Sequence, residues 1–102
     1  MQLTLMIEGK EKTFTTGFIS TRKFREALKM HKKLQDGIDE KGLDELVEFV
    51  AGTFNNQFTI DEVYDGLESK KLLPTVLDVI EEVIGDEAKE MQQQDFLHKK
   101  NQ

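Results

Sequence analysis

Two histidines, several helical carboxylate pairs and seven glycines are the residues of this chain whose types could do chemistry. A zinc-type site needs further imidazole, thiolate or carboxylate ligands at defined spacing. Neither His31 nor His98 has a second histidine so placed. His31 therefore reads as a partly buried structural residue on the apolar side of a helix. Asp61/Asp65 and Asp78/Glu82 stand four apart. Acid–base catalysis needs such groups desolvated in a cleft. Here they alternate with apolar stripes and read as solvated helix faces. The acidic residues do not follow a calcium-loop spacing, the glycines build no phosphate-cradling loop, and no serine sits in a nucleophile elbow. With no cysteine, thiol catalysis and disulfides are excluded. The expectation is a non-enzymatic protein with no cofactor and no metal.

Composition agrees. A chain of 102 residues with 37% hydrophobic and 33% charged residues suits one soluble domain with a small core. No apolar run is long enough to span a bilayer, and the first residues are too short and polar for a secretory signal. The net charge of −6 hides an asymmetry: residues 1–36 carry eight Lys/Arg against four Asp/Glu, residues 37–98 four Lys against sixteen Asp/Glu. Arg22, Arg25, Lys29, Lys32 and Lys33 make a basic helix face, but no aromatic residue interleaves with them. The acidic body would repel phosphates. Neither nucleic acid nor membrane is expected as a partner.

The elements follow from periodicity. Leu3 to Ile7 alternates as a strand, Glu8-Gly9-Lys10-Glu11 is a tight turn, and Lys12 to Thr16 returns antiparallel. A lone hairpin is marginal in water, so it must lie on helices or pair with another chain. Ser20 or Thr21 caps a helix over about 21–35 with the stripe Phe24, Ala27, Leu28 and Leu34, stopped by Gly37. A second helix from residue 39 or 43 to 54 carries Leu43, Leu46, Val47, Val50 and Phe54. Phe49 lies about 120° off that stripe, so it packs on another neighbour or faces solvent. Gly52 weakens this helix, or lets a neighbour approach closely. Thr59-Ile60-Asp61-Glu62 reads as a capping box, with Phe58 and Val63 placed for a hydrophobic staple, opening a short helix that ends near Glu68. A last helix over about 70–84 tolerates Pro74 only near its start. Its face of Leu72, Leu73, Val76, Leu77, Ile80, Val83 and Ile84, widened by Val79, is broader than one stripe. It is thus either central to the core or occupied by a partner.

These elements predict an α+β fold: an N-terminal β-hairpin packed on a small bundle of about four helices. Residues 1–85 form the domain and residues 86–102 a weakly helical or disordered, flexible C-terminal tail. Exposed apolar candidates for partner binding are Met30, Phe49, Val79, Met91, Phe96 and Leu97, each with the alternative of an ordinary core or single surface contact. The hairpin edge is a further docking site by strand addition, and self-association stays open.

The chain resembles the tail assembly chaperones of long-tailed bacteriophages, in particular those of phages and prophages of Gram-positive bacteria. The resemblance covers about residues 3–85. It rests on Leu3-Thr4-Leu5 with Glu8-Gly9-Lys10-Glu11-Lys12-Thr13-Phe14, on Phe24-Arg25-Glu26-Ala27-Leu28, on Leu46-Val47-Glu48-Phe49-Val50, and above all on Phe54-Asn55-Asn56-Gln57-Phe58-Thr59-Ile60-Asp61-Glu62-Val63-Tyr64-Asp65-Gly66-Leu67. It implies a protein that is no enzyme. Such a protein binds the tape measure protein and keeps it soluble, recruits tail tube protein during tail morphogenesis, acts in the cytoplasm of the bacterial host, and is absent from the finished virion. Many members of that family have a second, frameshifted form, and Lys99-Lys100-Asn101 is compatible with an A-rich slippery run. The competing reading is a small adaptor or regulatory module that binds one folded partner.

Overall fold

The computed structural model describes residues 1–85. The tail reading for residues 86–102, with Met91, Phe96 and Leu97, lies outside the described residues. Two strands, β1 (Gln2–Ile7) and β2 (Lys10–Thr15), precede four helices: α1 (Thr21–Asp36), α2 (Glu40–Thr53), α3 (Ile60–Gly66) and α4 (Ser69–Ile84). This is the α+β hairpin-plus-bundle architecture.

The hairpin turn is tighter than the sequence suggests. Ile7 pairs with Lys10, so only Glu8 and Gly9 make the loop, and β2 starts at Lys10 instead of Lys12. Both loop residues have positive φ, 54° and 76°, the geometry whose twist matches a two-residue hairpin. Leu3 and Leu5 point to the core, while β2 contributes only the half-buried Phe14. The β2 edge carries Lys10, Glu11 and Lys12, charges that disfavour pairing with another strand.

Caps set the helix starts. Ser20 accepts from the Lys23 amide and Asp39 from the Gly42 amide. Thr59 and Glu62 complete the capping box from both sides, at 3.1 and 2.8 Å. Phe58 and Val63, the staple positions, are both buried. The end of α2 is a Schellman motif: the Asn55 amide reaches the Gly52 carbonyl, the Asn56 amide reaches the Ala51 carbonyl, and both asparagines adopt left-handed φ. Gln57 follows and donates its side-chain amide to the carbonyls of Thr15 and Phe54. Phe58 lies 4.9 Å from Phe14 and 5.4 Å from Phe54 between ring centroids. One amide and three rings thus tie the hairpin to the end of α2. Such ring pairs add roughly 0.5–1.5 kcal/mol each beyond their burial.

The centre of the core is α2, not α4. Leu46, Val47, Phe49, Val50 and Ala51 are all buried, and α2 packs against α1, α3 and α4. Thr53, also buried, donates its hydroxyl to the Phe49 carbonyl, so its burial leaves no unmet donor. By contrast α4 buries only Val76, Val79 and Ile80. It also starts earlier than expected, at Ser69, which puts Pro74 in the second turn, where the carbonyl of Lys70 loses its amide partner. On α1 the buried pair is Ala27 and Met30, and Leu28, expected in the stripe, is exposed. Gly66 works as more than a helix end. A Cβ there would meet the Met6 carbonyl oxygen at 2.7 Å, so the missing side chain lets α3 lie directly on β1.

Candidate partner-binding surface

Of the residues singled out for partner binding, Met30, Phe49 and Val79 are buried, at 8%, 4% and 3% exposure. Their burial fits the core contacts that stood as the alternative. Met30 and Phe49 come together in a cleft of about 390 Å³ between α1 and α2, among Lys23, Glu26, Lys29, Glu45 and Glu48. His31 is half-buried, and Arg22, Arg25, Lys29 and Lys32 face solvent. Lys33 instead meets Glu45 of α2 at 2.6 Å. This pair raises the Lys33 pKa and lowers that of Glu45, in each case chiefly through their shared hydrogen bond.

The large apolar side chains that do reach solvent lie elsewhere. They are Met6, Phe18, Leu28, Tyr64, Leu73 and Leu77. Three of them mark one continuous surface. Tyr64 and Leu73 line an open groove of about 570 Å³ with Ile38, Leu43, Leu67 and Leu72, bounded by α2, α3 and the first turns of α4. Leu77, one turn beyond Leu73, extends it along α4. Sequence reasoning placed Leu73, Leu77 and Tyr64 within buried stripes. The signal for Leu73 and Leu77 was the excess width of the α4 face, more than α1 and α2 cover; nothing comparable marked Tyr64 on α3.

Acidic side chains of α2 lie near Tyr64, at one side of this groove. Glu40, Asp44 and Glu48 stand four apart on α2 and are all exposed. The Tyr64 hydroxyl donates to the Asp44 carboxylate. Burial first, then this bond, then the charges of Asp44, Glu40 and Glu48 push the Tyr64 pKa up to about 12. At the start of α4, Glu68 faces Lys70 and Lys71 at 3.8 and 4.0 Å, long and exposed contacts of little energetic weight. Among the described residues no three His, Asp or Glu side chains gather as a metal site, and no helix is long and apolar enough to cross a membrane. An apolar trough with carboxylates near one side and no convergent acid, base or nucleophile can bind a side of another polypeptide.

The family comparison points the same way. A family model described as phage tail chaperone protein matches residues 1–101, nearly the whole chain. The chain belongs to that family. No curated protein and no solved structure matches it significantly.

Proposed function

We propose that this protein is a non-enzymatic tail assembly chaperone that binds the tape measure protein through the groove between α2, α3 and α4. In doing so it keeps an apolar helical client soluble and helps recruit tail tube protein. The observation that carries this reading is the half-bare α4. Leu73 and Leu77 are 45% and 38% exposed in a helix that buries Val76, Val79 and Ile80. A helix-in-groove mode uses such a trough, reading apolar residues of the client at i, i+3 or i+4 and i+7. The α2 carboxylates near Tyr64 favour clients with lysine or arginine flanking those residues. The place of action is the cytoplasm of the bacterial host, a Gram-positive one by the sequence resemblance, and the protein leaves before the virion is complete.

Co-expression with fragments of the tape measure protein tests this. The full chain retains at least one fragment on purification, and Leu73→Ser with Leu77→Ser releases it while the melting temperature holds. Retention of no fragment by the full chain overturns the reading in favour of a small adaptor for a folded partner. Mass spectrometry of purified virions checks the second half: the chaperone is absent there while the tail tube protein is abundant.

A further inference from the structure

We propose that the exposed face of α1 is a second docking surface, and that it takes an acidic helical segment of another protein. This surface is separate from the groove and stands or falls without it.

The cations of α1 that face solvent fall in one row. Arg22, Arg25, Lys29 and Lys32 are exposed and follow one another three, four and three residues apart. At 100° per residue they lie within about 80° of one another, over a length of about 15 Å. Among the described residues none of the four makes an ion pair, whereas the other two lysines of α1 are used inside the domain, Lys23 by Glu26 and Lys33 by Glu45. Residues 37–85 hold twelve Asp/Glu against three Lys, and none of these carboxylates pairs with the row.

The arrangement costs the helix. Arg22 and Arg25, Arg25 and Lys29, and Lys29 and Lys32 are like-charge neighbours on its surface. Arg22 also lies in a first turn that has no acidic residue, so it opposes the helix dipole. A local rule broken without a local return marks a functional surface. The row has apolar company as well. Phe18, two residues before the Ser20 cap, is 86% exposed, and Leu28, about 40° around the helix from Lys32, is 36% exposed. Aromatic side chains and arginine are the types enriched where proteins meet.

Charge and spacing select the occupant. Steps of three and four residues are those at which one helix runs along another. A partner helix can therefore set carboxylates against all four cations and an apolar side chain against Leu28. A nucleic acid fits less well. Its phosphates would run on past this short row into the acidic remainder of the domain, and Leu28 offers nothing to a phosphate.

The probe is a synthetic helical peptide of about two heptads, with glutamates at the same spacing, one leucine beside them and alanine elsewhere. On titration into the isotope-labelled full chain, the amide NMR signals of Phe18 and of residues 22–32 are expected to shift, while those of Leu67 and Leu72 in the groove stay still. Arg25→Glu with Lys29→Glu weakens binding by about tenfold or more, because like charges then face each other. Phe18→Ser or Leu28→Ser weakens it by about threefold. Leu73→Ser with Leu77→Ser changes nothing, which keeps this surface apart from client binding in the groove. A scrambled peptide of the same composition that binds as tightly reduces the face to a merely charged one and overturns the proposal. Tighter binding of a single-stranded oligonucleotide of similar length overturns it in favour of nucleic acid. Signals of residues 22–32 that broaden with protein concentration alone overturn it in favour of a second copy. Phe18, Arg25, Leu28 and Lys29 are all exposed, and an unchanged melting temperature checks that each variant folds.

Discussion

Helices α2 and α4 are of similar length and both are rich in Leu, Val and Ile, yet they play opposite parts. Three helices surround α2, and its apolar residues vanish from solvent on most of its circumference. On α4 the side toward α1 and α2 is covered, while Leu73 and Leu77 on the adjoining shoulder are not. The lesson is that apolar width on a helix states a demand for cover without saying who supplies it. In α2 the domain supplies it. In α4 part of the demand is left over, and the leftover is contiguous with a groove.

Cutting the same side chain from each helix breaks this comparison most directly. Leu46→Ala on α2 is expected to cost about 2–5 kcal/mol, because Leu46 is fully buried and leaves a cavity. Leu73→Ala on α4 should cost less than about 1 kcal/mol, since its side chain is already half in water. Urea denaturation of the two variants measures both, and equal losses would mean that α4 is covered in solution. The glycines give a second contrast. Gly66→Ala drives a methyl into the backbone of Met6 and should destabilise by about 1–3 kcal/mol. Gly52→Ala meets only the end of the flexible Lys23 side chain, Nζ at 2.7 Å, which can shift while keeping its pairing with Glu26, so the better helix propensity of alanine should win, with a gain of up to about 1 kcal/mol. Thermal melts of the pair should therefore move in opposite directions.

Tyr64, between the two helices, sharpens the comparison spectroscopically. It is the chain's one tyrosine, and there is no tryptophan, so phenolate absorbance reports it alone. Its folded pKa is pushed to about 12 from an ordinary value near 10. The neutral phenol is thus preferred in the fold. Any stability linked to it is fully present below pH 10 and is lost as pH rises towards 12. Asp44→Asn should bring the midpoint down, though not to the ordinary value, because burial is the larger cause. A native midpoint near 10 would show the ring to be wholly hydrated. The smallest effect is expected from Leu77→Ser, within about 0.5 kcal/mol on urea stability, even though it removes part of the proposed client surface.

Most of the fold could be read from the residues. The capping box at Thr59 to Glu62 is a local pattern with a local cause, and it sits where the sequence puts it. The same is true of the stop at Gly37, and of the hairpin apart from its turn, which is two residues shorter than the sequence suggests. The Schellman turn at Asn55 and Asn56 was legible only as polar residues between helices, since left-handed φ in two consecutive asparagines depends on what the chain must do next. The candidate surface was harder. Periodicity tells which residues share a face, but exposure depends on which other element arrives to cover it. Phe49 lies off its stripe and is buried because α2 has neighbours on several sides. Leu28 lies on its stripe and is exposed because α1 turns that edge away from them.

Pro74 has one consequence for the groove. Without the rung between residues 70 and 74, the first turns of α4 can tilt against the remainder while breaking no additional backbone bond. The wall carrying Leu72 and Leu73 is therefore joined to the buried turns of Val76 and Ile80 by one backbone bond fewer than an uninterrupted helix supplies.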